Sequence, residues 1–129
     1  MAKIETISTS GAPAAIGPYS QARVYQGVVY CSGQIALTPE GEDLTSESVE
    51  VQTKQAMANL KAVLTASGSN FEHILKVNIF LIDMDDFGAV NSIYATYFNA
   101  SPPARATVAV EALPRGARVE IDCIAVQCD

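Results

Sequence analysis

The order of apolar patterns along the chain predicts an α+β fold, with one sheet and two helices packed on one of its faces. Three observations carry this. Residues 48–67 and 84–99 repeat apolar side chains at helical spacing. Shorter β-rich runs lie at residues 21–25, 28–32, 74–82, 105–110 and 118–126. Gly and Pro fall between these segments rather than inside them, with Gly88 as the exception. The resulting order is ββ-α-β-α-ββ. We read residues 1–129 as one domain, a length that buries roughly two thirds of the surface exposed by the unfolded chain.

Each element has its own reason. Gly11, Pro13, Gly17 and Pro18 make the early segment a shaped loop rather than a strand or helix. The first two strands flank Gln26-Gly27, a hairpin turn, and Pro39 and Gly41 mark a turn over residues 38–41. In the first helix Met57, Leu60 and Leu64 form a stripe, flanked by Val63 and Ala56. Gln52, Lys54, Asn59 and Lys61 are its polar positions. Gly68 ends it, since glycine tolerates the left-handed conformation common just past a helix. In residues 74–82 the alternation puts Leu75, Val77, Ile79 and Leu81 on one face, with Lys76, Asn78 and Phe80 on the other.

Asp83 is an N-cap for the second helix, with Asp85 and Asp86 favoured by the dipole of its first turn. Its stripe is Phe87, Val90, Tyr94 and Phe98. Gly88 inside it costs about 1 kcal/mol relative to alanine, which points to close packing there. Pro102-Pro103 forbids continuation of the helix. The last two strands are joined through Leu113-Pro114-Arg115-Gly116.

Composition bounds the function. Hydrophobic residues make up 49% and charged residues 17%, an apolar surplus for a small soluble chain. It points to a second buried surface, such as a subunit interface. The net charge of −6 argues against a nucleic-acid partner, which calls for clustered Lys and Arg. Cys31, Cys123 and Cys128 have no metal-like spacing and read as reduced thiols of a cytosolic compartment. His73, the one histidine, reads as a surface or turn residue with no cysteine near it. No apolar run approaches the ~18–20 residues of a membrane span. Met1-Ala2-Lys3-Ile4-Glu5 resembles neither a signal peptide nor a presequence. We therefore expect a cytoplasmic protein, with an organelle form left open.

The anomaly lies in the last two strands. Arg105 and Glu120 are charges inside apolar runs, and a charge there is expensive unless paired or met by a ligand. Parity groups Ala106, Val108 and Val110 on one face of the fifth run, and Arg105, Thr107 and Ala109 on the other. In the last run Val119, Ile121, Cys123 and Ala125 share a face, opposite Glu120, Asp122, Ile124 and Val126. If the continuously apolar sets face the helices, Arg105 and Glu120 both project from the opposite face. Phe80, Ala109, Ile124 and Val126 join them there, a surface too apolar to stay bare. Two readings follow: an interface ion pair, or a small-anion site. In the second, Arg105 grips a carboxylate bidentately and Glu120 handles a water or a proton.

With these residues in view, the chain resembles the Rid (YjgF-like) family of reactive-intermediate deaminases, in its RidA branch. The likeness runs through Ala12-Pro13-Ala14-Ala15-Ile16-Gly17-Pro18-Tyr19-Ser20, Ser32-Gly33-Gln34-Ile35 and Lys76-Val77-Asn78-Ile79-Phe80-Leu81. It continues through Asp86-Phe87, Val90-Asn91, Tyr94, Pro103-Ala104-Arg105 and Val119-Glu120-Ile121-Asp122-Cys123-Ile124-Ala125-Val126. The resemblance tips the balance toward the ligand site. It implies a chorismate-mutase-like domain with a single mixed sheet, a homotrimer with a central β-barrel, and sites between subunits. It implies hydrolysis of 2-imino acids and their enamines to 2-oxo acids and ammonia, which protects pyridoxal-phosphate enzymes, with no metal or organic cofactor.

Residue by residue, the resemblance gives Arg105 the substrate carboxylate, Glu120 the imine carbon and attacking water, and Tyr19 an assisting place at the cleft. Ser32 and Gly33 line the site with a backbone N–H, Asn91 stands near the pocket, and Thr107 contributes chiefly backbone. Thr107 stands where relatives often carry cysteine, and Glu111 where a small residue is expected. Three competing readings are a 2-oxo-acid-binding regulatory module without turnover, an RNA-directed translation inhibitor or ribonuclease, and a chorismate-mutase-like enzyme suggested by fold alone.

Overall fold

A computed structural model describes residues 2–129. The elements are β1 (Glu5–Ile7), β2 (Ala22–Tyr25), β3 (Val28–Gln34), α1 (Val49–Ala66), β4 (Ile74–Leu81), α2 (Phe87–Ala95), β5 (Ala104–Ala109) and β6 (Val119–Val126). Short 3-10 turns occupy Phe71–His73, Met84–Asp86 and Pro114–Gly116. The strands form one six-stranded sheet in the order β1-β2-β3-β6-β4-β5. Neighbours are antiparallel except β4 and β5, which run parallel with α2 as their crossover. The fold is therefore α+β with one sheet, as the patterns predict, and the sheet is mixed, as the resemblance implies.

The turns form as their residues dictate. Gln26 (φ 50°) and Gly27 (φ 80°) both adopt the left-handed conformation, which matches a two-residue hairpin turn to the twist of β2 and β3. Ser48 caps α1 by accepting the N–H of Val51, and Gly68 (φ 78°) turns the chain away after it. The α1 stripe of Met57, Leu60, Val63 and Leu64 is fully buried against the sheet.

Several elements differ from the sequence expectation. β1 adds a sixth strand upstream of the predicted loop, pairing Glu5 with Val24 and Ile7 with Ala22. Three residues are too few for alternation to register. Gln52 and Asn59, expected on the polar side of α1, are buried. Gln52 Nε2 donates to the carbonyls of Thr45 (3.0 Å) and Glu47 (2.9 Å), while its Oε1 accepts the Arg118 N–H at 2.9 Å. Asn59 Nδ2 donates to the carbonyl of Leu37 at 2.8 Å. These amides satisfy loop carbonyls that would otherwise be stranded away from water, and they fix the segment between β3 and α1.

In β4 a register shift between Ile74 and Lys76 buries Ile74 and leaves Leu75 51% exposed, so Leu75 does not share the face of Val77, Ile79 and Leu81. Helix α2 stops at Ala95, short of residue 99, and its lead-in is a 3-10 turn whose Asp85 N–H is accepted by Asp83. Val90 and Tyr94 are buried, while Phe87 and Phe98 pack at the edge of the core. No helix among the described residues is long and apolar enough to cross a membrane.

Close packing at Gly88 is not found. A Cβ built there meets nothing within 4 Å, so the glycine leaves only its entropic cost. Gly88→Ala is expected to stabilise the protein by about 0.5–1 kcal/mol, seen as a higher midpoint in thermal melts.

Candidate active site

Register decides where each predicted residue points. In the β4–β5 pair, Arg105 lies beside Val77, Thr107 beside Ile79 and Ala109 beside Leu81. Val77, Ile79 and Leu81 are buried under the helices. Paired residues share a face, so Arg105, Thr107 and Ala109 also look toward α2. In the β4–β6 pair, Glu120 lies beside Phe80 and Asp122 beside Asn78, on the opposite face.

The expectation that Arg105 and Glu120 project from one face is therefore wrong, and Ala109 also belongs with the helix side. The rule that the more apolar set faces the helices fails in β5. This strand is the sheet edge, α2 offers polar and aromatic groups there, and the open face is itself apolar. An Arg105–Glu120 ion pair within one chain is excluded by the same register.

Arg105 sits in a cradle built by one face of α2. Its Nη1 donates to Asn91 Oδ1 at 2.7 Å. Its guanidinium carbon lies 5.0 Å from the centre of the Tyr94 ring and 5.6 Å from that of Phe87, within cation–π range. Among the described residues, no carboxylate lies within ion-pair distance of it. The two ion pairs found are Arg115–Asp43 at 3.6 Å and Arg118–Asp86 at 2.8 Å.

Two hydroxyls on this side, Tyr94 Oη and Thr107 Oγ1, are buried with no hydrogen-bond partner among the described residues. Burial pushes the Tyr94 phenol up, against the opposing pull of the Arg105 charge, so it stays protonated at neutral pH.

Glu120 belongs to the other cluster. It lines a cavity of about 440 Å³ together with Tyr19, Ser32 and Gly33. Pro13, Ile16, Ile35, Leu37 and Pro114 supply apolar wall, and Arg115 adds a cation. Sequence reasoning missed Arg115, which stands in an ordinary-looking turn, and missed Phe87 and Tyr94 as partners of Arg105 because it read the α2 aromatics as core.

The cavity wall is set by buried Gln21. Its Oε1 accepts the Thr9 N–H at 2.7 Å, and its Nε2 donates to the Pro13 carbonyl at 2.8 Å. Ser32 Oγ donates to the Ser20 carbonyl at 2.5 Å, which ties β3 to the segment carrying Tyr19. The Ser32 N–H is already engaged with the Gln21 carbonyl at 3.0 Å.

The β3–β6 ladder shifts register between Cys31 and Gln34, and the Glu120 carboxyl fills the space beside Gly33. A Cβ on Gly33 would collide with Glu120 Oε2. Burial, and then the charge of Asp122, raises the Glu120 carboxyl above the usual glutamate range. Asp122 is itself held by Asn78 Nδ2 at 2.9 Å.

The remaining candidates are accounted for elsewhere. All three cysteines are free. Cys31 and Cys123 face one another across β3 and β6, both buried. The Cys31 contact and burial push the Cys123 thiol far up, so it is an inert core group. His73 is a turn residue as expected, but it does have a cysteine near it: Cys128 Sγ lies 3.6 Å from His73 Nδ1. The fold brings the chain end back beside the turn before β4, which no spacing in the sequence indicates.

Because Gly33 and the Glu120 carboxyl occupy adjoining space, Gly33→Ala is expected to push that carboxyl out of place while lowering stability by less than about 1 kcal/mol, since only the end of a flexible side chain must move. Thermal melts and a crystal structure of the variant check both effects.

Comparison with known proteins assigns the chain to a family. The family profile described as Endoribonuclease L-PSP matches residues 9–127. The 2-iminobutanoate/2-iminopropanoate deaminase of Mus musculus is 52% identical over 123 residues, which cover 95% of this chain and 91% of that protein. The crystal structure of yeast Mmf1 matches with a TM-score of 0.94 at 39% identity, covering 98% of this chain and 100% of that one. The structure of E. coli TdcF with bound serine matches with a TM-score of 0.90 at 36% identity, covering 96% and 99%. Near-complete coverage at this level of identity shows that the chain belongs to the endoribonuclease L-PSP family, in its RidA branch.

Proposed function

We propose that this protein hydrolyses 2-imino acids and their enamine tautomers to 2-oxo acids and ammonia; its relatives named 2-iminobutanoate/2-iminopropanoate deaminase support the reading. One observation carries the reading: a guanidinium held in an aromatic cradle at a sheet edge, with no carboxylate of its own among the described residues. A planar fork in that condition suits the carboxylate of a small acid.

Arg105 and Glu120 lie on opposite faces of one sheet, so one small substrate cannot meet both within a single chain. The site therefore takes its carboxylate anchor from one protomer and its acid–base group from a neighbour. The open sheet face supports such an assembly. Tyr30 (50%) and Val108 (46%) are exposed there, beside Phe80 and Ile124, and apolar area of this kind calls for cover. A homotrimer whose sheets close into a central barrel supplies it. Free cysteines suit a reducing compartment such as the cytoplasm.

In the assembled site Arg105 fixes the carboxylate and Asn91 steadies the fork. Tyr19, Ser32 and Gly33 bound the reacting end, and Thr107 lies two residues beyond Arg105 on the same face. Glu120, as carboxylate, accepts a proton from water as its oxygen bonds to the iminium carbon. The proton then passes to the nitrogen; Glu120, again a carboxylate, takes the new hydroxyl proton as the C=O bond forms and the C–N bond breaks, and ammonia leaves with the 2-oxo acid. The iminium is already electrophilic, so orientation and one acid–base group suffice.

Two experiments test this. With an imine generated in situ by an amino-acid oxidase, Arg105→Ala should lower kcat/KM by about 10- to 150-fold, the range of a lost charge-assisted hydrogen bond. Unchanged turnover in a folded variant would reject the assignment. Glu120→Gln should keep 2-oxobutanoate binding and lose at least about 100-fold in kcat. Equal binding with no turnover in the parent protein would favour a regulatory module.

The pH profile gives a signed check. The charge of Asp122 raises the Glu120 carboxyl, so Asp122→Asn stabilises the carboxylate form. The acid limb of kcat/KM should then move to lower pH, with the Asn78 contact retained. An acid limb that stays in place or moves upward would separate Glu120 from that ionisation.

A further inference from the structure

We propose that Tyr94, with Phe87, is a positioning residue for the reaction: its ring face holds the Arg105 guanidinium in the plane from which the fork meets the substrate carboxylate. The inference rests on the reading of Arg105 as the carboxylate anchor and adds what makes that anchor work. Phe87, Asn91 and Tyr94 fall at i, i+4 and i+7 along α2, so they share one helix face. That face lies over β5, an edge strand with a neighbour on one side only. An arginine on such an edge has solvent available to it, and its long side chain samples many rotamers unless something selects one.

Three contacts make the selection. Tyr94 is the nearer ring at 5.0 Å, Phe87 follows at 5.6 Å, and Asn91 takes one N–H at 2.7 Å. The guanidinium carbon lies over both rings, and Asn91 engages Nη1. Most of the five N–H donors of an arginine remain for an anion.

Tyr94 is well placed to be the rigid member. It is 95% buried, leaving 5% exposed, and packs on Phe98 with ring centres 4.8 Å apart. Its hydroxyl has no partner among the described residues, so within this chain Tyr94 meets Arg105 through its ring.

The test is a set of substitutions read in steady-state kinetics on the assembled protein. Tyr94→Leu should raise KM for a 2-imino acid by about 10-fold or more with kcat changed far less. Tyr94→Phe, which keeps the ring, should hold KM within about twofold. In an Arg105→Ala background Tyr94→Leu should have almost no further effect on kcat/KM, because it acts through the arginine. A purely structural role would instead lower activity additively in both backgrounds. Phe87→Leu, at a less buried position, gives the same cycle and decides the question if Tyr94→Leu does not fold. Loss of activity in Arg105→Ala with KM unchanged in both aromatic variants would overturn this inference alone. Full activity in Arg105→Ala would overturn the anchor and this inference with it.

Discussion

A guanidinium is costly to hold still and more costly to bury unpaired. This chain meets both demands at Arg105 with no carboxylate among the described residues paired to it. Two aromatic rings offer their electron-rich faces and one amide oxygen takes a single donor. The charge stays near the sheet edge, where water screens it until an anion arrives. The position of α2 follows from this contact as well as from the core. Its buried residues, Val90 and Tyr94, lock it to the sheet, and its outer aromatic edge is left for the arginine.

The same economy governs Glu120. Its carboxyl is half-buried, beside a glycine that leaves it room and an aspartate that repels it. Burial and the aspartate both favour the neutral acid, which brings the group closer to the range where it can take and return a proton. Around it, the loops are held from within. Gln21, Gln52 and Asn59 are buried amides that satisfy backbone groups of the segments walling the cavity. Polar residues inside a small core are expensive alone, but here each replaces a water that a buried loop cannot reach.

Much of the fold was legible because local rules agreed with it. Ser48 and Gly68 bracket α1, Gln26-Gly27 turns the hairpin, and the α1 stripe is the core. Where legibility failed, a long-range partner had intervened. Gln52 and Asn59 look solvent-facing on a helical wheel, and only the loop packed over them makes their burial affordable. Leu75 breaks the alternation because a bulge before Lys76 resets the register. The helix after Asp86 ends early, and no sequence rule separates its last turn from the loop before Pro102-Pro103.

The candidate residues were identifiable one by one, by charge in an apolar context and by family likeness. Their grouping was not. Parity within a strand is local, and the chain alone determines that Arg105 and Thr107 share a face while Glu120 and Asp122 share another. Which of those faces meets the helices depends on the strand beside each, and β5 pairs with β4 in parallel rather than with β6. That pairing turns Arg105 under α2 and leaves Glu120 on the open face. Side-chain chemistry is carried by the sequence, whereas the sheet order, which joins residues far apart along the chain, decides which chemistries can meet.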